Sequence, residues 1–161
     1  MSVTLAKGFR AAGVKAGLKT SGNHDLALVL NEGPLQIAAA VFTTNRCQAN
    51  PILWSKEVIK DGQVSAIILN SGGANCYTGP QGFQTTHATA EKVAEELGVS
   101  AGDVLVCSTG LIGDQLDREK LLAGTSAAAA NLNTTNGAIA AQAIMTTDSK
   151  PKTAEFTHTD G

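Results

Sequence analysis

At residues 106–113 the chain reads VCSTGLIG: a thiol, two hydroxyls and a glycine follow directly on an apolar run that closes with Val106. Glycine has no Cβ, so a ligand atom can come close to its amide. A neighbouring hydroxyl supplies a second donor. Two donors aimed at one point stabilise an oxyanion. Thr109 and Gly110 are the candidate pair, and a plain turn is the alternative. A second polar group, Thr146, Thr147 and Asp148 in AIMTTD, ends an Ala-rich run before Pro151. It is either a helix stop or a loop that carries hydroxyls to a pocket rim.

Other candidates point to packing rather than chemistry. The histidines are His24, His87 and His158, and none stands beside a cysteine or a second histidine at metal-ligand spacing. No GxSxG elbow supports a serine triad. Cys107 is a possible nucleophile, but a free cysteine is more commonly a small buried residue. The glycine-rich LNSGGANCYTGPQG (69–82) follows a strand and precedes a helix. It lacks a P-loop lysine and GxGxxG spacing, so it reads as tight backbone packing with Asn70, Ser71 and Asn75 capping turns.

Composition narrows the class. The 161 residues are 43% hydrophobic and 16% charged, enough for one domain with a core. Aromatics are only 4%, so the core must be built from Val, Ile, Leu and Ala. A net charge of −2 without a basic stripe argues against nucleic acid. No stretch approaches the roughly 20 apolar residues of a membrane span, and the N-terminus lacks a signal-peptide core. Cys47, Cys76 and Cys107 are odd in number and widely spaced, forming neither a CxxC site nor a disulfide framework. A reducing cytoplasm is the expected compartment.

The elements that must position these residues follow from periodicity. The sequence predicts strands over 25–34 and 37–45, paired as an antiparallel hairpin through Gly33–Pro34. Residues 52–62 become a short helix stopped at Gly62, and 64–73 form a third strand. Residues 83–98 have helical spacing, with Phe83, Ala90, Ala94 and Leu97 on one face and Gly98 as the stop. Residues 103–110 form the fourth strand. Asp117 is the N-cap of the next helix, with Leu116 and Leu121 placed for a hydrophobic staple. A long helix follows over 138–148. KTAEFTHT alternates as a fifth strand still in progress, which suggests a fragment or one chain of a pair. The expected fold is α/β of the α+β type: a single domain (1–161), a layered sandwich of helices on a mixed, largely antiparallel sheet.

GFRAAGVKAGLK, DLALVLNEGP, AAAVFTTN, LNSGGANCYTG, CSTGLIG and AIMTTD, in that order, resemble the N-terminal part of the bifunctional ornithine acetyltransferase / glutamate N-acetyltransferase family of arginine biosynthesis. The resemblance implies a self-cleaving, N-terminal-nucleophile-like architecture in which a precursor splits into α and β chains. The threonine exposed at the start of the β chain is the nucleophile. The motif around it, resembling KGxGMxxPxxATML, is not in this sequence, so the chain is similar to an α chain without its last residues. By the same resemblance Thr109 and Gly110 fall on the oxyanion-hole pair, and Thr146 falls on a substrate-contacting threonine. The implied partners are the β chain, a higher αβ oligomer, N-acetylornithine and glutamate, with acetyl-CoA a donor in some members. Neither a metal nor a tightly held cofactor is implied. Two other readings stay open: a self-cleaving amidase or aminopeptidase subunit, and a non-catalytic fragment that binds a partner.

Overall fold

The structure, a computed structural model, describes residues 2–158. Four strands form one sheet in the order β1-β2-β3-β4: β1 Phe9–Val14, β2 Leu26–Asn31, β3 Ala66–Ser71 and β4 Val104–Thr109. The β1–β2 and β2–β3 ladders are antiparallel and β3–β4 is parallel. The helices are α1 Asn50–Val58, α2 Gly79–Leu97, α3 Arg118–Ala130 and α4 Gly137–Ala143.

Alternation along the strands sorts the core into two faces. Ala12, Leu26, Leu28, Ile68, Val104 and Val106 pack with Ala90 and Val93 of α2 and Leu121 and Ala128 of α3. Ala11 and Ala27 point the other way and pack with Ala140 and Ala143 of α4. Small residues let the layers approach closely. A Cβ on Gly13 would lie 2.5 Å from the Ile139 carbonyl oxygen. The result is the expected mixed α+β sandwich.

The open edge of β4 is covered over half its length. An edge strand presents unpaired backbone groups that must be satisfied or shielded. Trp54 Nε1 of α1 donates to the Val104 carbonyl at 2.9 Å. Ser55 Oγ donates to the Val106 carbonyl at 2.9 Å and accepts from its amide at 3.1 Å. Beyond Val106 the edge is left uncovered by α1.

Several expectations are corrected. Residues 37–45 are not a strand: apart from a lone bridge between Ile37 and Gln63 they are irregular, and Val41 is 98% exposed. The hairpin partner of β2 is instead β1. Its FRAAGV carries small side chains because Ala11 and Ala12 are sandwiched between helix layers, and that muted the strand signal. The helix expected over 138–148 stops at Ala143, with Ile144 as its C-cap, where side chains take over the carbonyls: Ser71 Oγ donates to that of Ala143 and Lys19 Nζ to that of Met145. Residues 151–158 form no strand and are exposed; Thr159 to Gly161, the rest of that alternation, lie outside the described residues. On α2 the buried stripe runs through Thr86, Ala90 and Val93, and Phe83 faces solvent.

Other details stand as expected. Gly62 and Gly98 end their helices in the left-handed conformation. The Asp117 carboxylate accepts from the Lys120 amide at 3.1 Å, which makes it the N-cap of α3. Among the described residues, no helix is long and apolar enough to cross a membrane.

Candidate functional site

Strand β4 ends at Thr109, and the chain continues beside β3 without leaving it. The Gly72 amide donates to the Thr109 carbonyl at 3.0 Å, and the Ala74 amide to the Leu111 carbonyl at 2.8 Å. The approach is close enough to require bare backbone on both sides. Gly110 has φ 137° and Gly72 φ 138°. A Cβ on Gly110 would lie 2.6 Å from the Gly73 nitrogen.

Alternate residues of an edge strand direct their backbone groups outward. Val104 and Val106 do so and meet α1; Gly110 has the same parity, past the reach of that helix. Among the described residues, neither the Thr109 hydroxyl nor the Gly110 amide has a hydrogen-bond partner. Ser108 differs: its hydroxyl donates to Asn70 Oδ1 at 2.5 Å.

Thr109 and Gly110 line a cleft of about 500 Å³ together with Gly72, Lys19, Thr146 and Thr147. The three residues singled out in the sequence, Thr109, Gly110 and Thr146, therefore open onto one space although 36 positions separate Gly110 from Thr146. Thr146 follows the end of α4, and its amide donates to the Asp148 carboxylate at 3.3 Å. The Lys152 ammonium and that amide hold the Asp148 carboxyl below its usual range.

The third wall is the β1–β2 connection, which the sequence reading missed. Residues 15–24 look like an ordinary polar turn, and the only signal was Asp25 beside an apolar run. Asp25 is fully buried. Its carboxylate accepts from the amides of Ala16 at 2.6 Å, Leu18 at 2.6 Å and Lys19 at 3.0 Å. That anchor curls the connection so that Leu18, Lys19 and Ser21 face the cleft. The ammonium of Lys19 is partly desolvated, which lowers its pKa against the opposing pull of Asp25.

The glycine-rich segment 69–82 is backbone packing, as expected. Asn75, buried with φ 48°, is its hub. Its amide donates to the Gly82 carbonyl and to Thr86 Oγ1, both at 2.9 Å, and its oxygen accepts from Thr78 at 2.6 Å. A Cβ on Gly82 would collide with Thr78 Oγ1 at 1.9 Å, so no cradle for phosphate exists at that glycine.

The remaining candidates lie elsewhere. Cys107 lines a separate apolar groove with Val41, Phe42 and Ile52. The residue keeps solvent contact, but desolvation raises its thiol above the ordinary value, the reverse of what a thiolate nucleophile needs. His87 lies on the surface against Trp54, with ring centroids 4.9 Å apart. Among the described residues no three of His, Cys, Asp and Glu gather as a metal-binding group.

What the arrangement can do is present two unpartnered donors, a hydroxyl and an amide, at the mouth of a cleft that carries further hydroxyls and one ammonium. That suits a developing negative oxygen.

The ArgJ family model matches residues 10–160. The arginine biosynthesis bifunctional protein ArgJ of Streptomyces coelicolor is 60% identical over 157 residues, covering 98% of this chain and 41% of that protein. Its counterpart in Bifidobacterium longum is 54% identical over 164 residues, 100% of this chain and 42% of that protein. The crystal structure of ornithine acetyltransferase complexed with ornithine, from Mycobacterium tuberculosis, superposes with a TM-score of 0.91 at 54% identity, covering 92% of this chain and 80% of that one. Arginine biosynthesis bifunctional protein argJ from Bacillus halodurans superposes with a TM-score of 0.84 at 35% identity, covering 92% and 78%. The chain thus spans about two fifths of the length of the curated relatives it matches.

Proposed function

The chain belongs to the ArgJ family, and on that premise we propose that it is the α chain, folded as a single domain, of an acetyltransferase that moves the acetyl group of N-acetylornithine to glutamate. Acetyl-CoA is a further donor to test. The reaction belongs to arginine biosynthesis and runs in the cytoplasm, in an oligomer of αβ units. The nucleophile is a threonine at the start of a β chain supplied by the same precursor.

The observation that carries this reading is the pair of unpartnered donors, Thr109 Oγ1 and the Gly110 amide, on a cleft shared with Thr146. Acetyl transfer has two steps with the same demand. In the first, the threonine hydroxyl attacks the acetyl carbonyl and its proton passes to the threonine's own α-amine, the general base. Charge collects on the carbonyl oxygen, where Thr109 and Gly110 donate to it. The C–N bond then breaks, ornithine leaves with that proton, and an acetyl ester remains on the threonine. In the second, the glutamate amine attacks the ester through a like oxyanion. N-acetylglutamate leaves and the hydroxyl is restored. One donor of this kind is worth about 3–4 kcal/mol of transition-state stabilisation. Thr146 contributes a hydroxyl to hold the amino acid in place.

The test uses the full-length protein. Mixed with N-acetylornithine alone, it should release ornithine and leave one threonine peptide an acetyl group heavier. Adding glutamate should discharge it as N-acetylglutamate. Release of free acetate at the same rate with or without glutamate would contradict the reading and favour an amidase.

A further inference from the structure

Lys19 makes a contact that a surface turn does not need. It sits in the β1–β2 connection, where its own amide is pinned to Asp25. Its ammonium donates to the His24 carbonyl at 3.1 Å and, across 126 positions, to the Met145 carbonyl at 2.5 Å. Met145 immediately precedes Thr146. Met145 lies just past Ile144, the C-cap of α4, so this bond clamps the first carbonyl beyond the helix end. The end of α4 is held from a second side as well. Ser71 Oγ, at the close of β3, donates to the Ala143 carbonyl. Ser71 is also the register partner of Thr109.

These contacts form a continuous linkage. Asp25 fixes the backbone of Lys19, Lys19 fixes Met145, and Ser71 fixes Ala143 next to the strand pair that carries Thr109. Thr146 comes directly after the two anchored carbonyls, Ala143 and Met145, and opens onto the cleft that Thr109, Gly110 and Lys19 line.

We infer that Lys19 is a positioning residue that sets Thr146 against the Thr109–Gly110 pair by holding the Met145 carbonyl, so that the amino-acid substrate is gripped in register with the oxyanion donors. The inference rests on the acetyltransferase reading above. A positioning role makes a specific demand: loss of the ammonium must weaken substrate binding through Thr146, and must add little once the Thr146 hydroxyl is gone.

The experiment is a double-mutant cycle in the full-length enzyme with Lys19→Met, Thr146→Ala and the double variant, assayed for acetyl transfer from N-acetylornithine to glutamate. A charge-assisted hydrogen bond lost from the linkage should raise KM about tenfold. The expected result is such a rise in Lys19→Met with kcat within about threefold, and a double variant no worse than Thr146→Ala by more than about twofold. A KM within about twofold of the parent in folded Lys19→Met, or multiplying effects in the double variant, overturns the inference. Should Lys19→Met fail to fold, Lys19→Arg keeps a cation and its donors. KM must then stay within about threefold of the parent, and a tenfold rise overturns the role. Thr109→Ala runs in parallel. A kcat loss there beside an unaffected Lys19→Met removes the positioning role alone, whereas absence of acetyl transfer in the parent removes the functional reading itself.

Discussion

The Gly72 amide donates to the Thr109 carbonyl at 3.0 Å, and this one bond sets two glycine backbones, Gly72 and Gly110, against each other at φ 138° and 137°. The parallel ladder of β3 and β4 runs past the end of both strands because nothing with a side chain intervenes. The outward parity of the Gly110 amide follows from the same register.

Gly110→Ala should therefore damage the fold as well as the site. Its Cβ would sit 2.6 Å from the Gly73 nitrogen, a backbone atom that cannot swing aside, on a φ that L-residues rarely adopt. Strain of this kind costs about 1–3 kcal/mol before the collision is counted. Gly113→Ala is the control: φ is 99° but its Cβ would meet nothing within 4 Å. Chemical denaturation of the full-length protein should rank Gly110→Ala clearly below Gly113→Ala. Equal losses would mean that the close approach of the two loops is not tight.

Asp25→Ala should be among the costliest single changes. The residue is fully buried, and three amides donate to its carboxylate. Hydrogen bonds to a charged group contribute about 1.5–3 kcal/mol each, and removing the acceptor strands its donors. A loss of about 3 kcal/mol or more is expected, with faster hydrogen exchange at Ala16, Leu18 and Lys19. A loss below about 1 kcal/mol would show that the β1–β2 connection holds its shape without the anchor.

Asp117 gives a pH signature. Its carboxyl is held below the ordinary range, first by the Lys120 amide that it caps and then by the Lys120 ammonium. A depressed folded pKa means the unfolded chain takes up the proton first. The stabilisation is complete above the unfolded value of about 3.9 and fades as pH falls through the lower folded value. Asp117→Asn keeps a cap acceptor without the titration. Its melting temperature should fall less steeply than the parent's below about pH 4. Identical slopes would remove Asp117 from the acid response.

Much of this was legible in the sequence, and the exceptions have physical causes. β3 and β4 were readable because Ile67, Ile68, Leu69 and Val104 to Val106 form apolar runs. α3 was readable because Asp117 is a side-chain cap. β1 was hidden because Ala11, Ala12 and Gly13 lie between two helix layers, where only small residues fit. The segment 37–45 misled in the opposite way. IAAAVFTTN has a strand's composition, yet Val41 is almost wholly exposed, so composition there reflects something other than a ladder. For the candidate site, Thr109 and Gly110 could be picked out by type and local order, whereas Thr146 stood in a cluster with Thr147 and Asp148 and was separated from them only by the family resemblance. Lys19 could not be picked out. The role proposed for it rests on a contact with Met145 across 126 positions, and no local pattern encodes that distance.

If Thr109 donates to the oxyanion as proposed, the loss must show in kcat of folded, correctly processed Thr109→Ala in the full-length enzyme. Thr109→Ser, which keeps the hydroxyl, is measured beside it. Loss of one such donor predicts a fall in kcat of about 10²–10³ for Thr109→Ala. KM should change much less, because the interaction is made mainly in the transition state. Thr109→Ser should retain most of the activity. A kcat for Thr109→Ala within about threefold of the parent, far short of the loss expected for a missing donor, would take Thr109 out of the proposed chemistry and leave it as the end of a strand and nothing more.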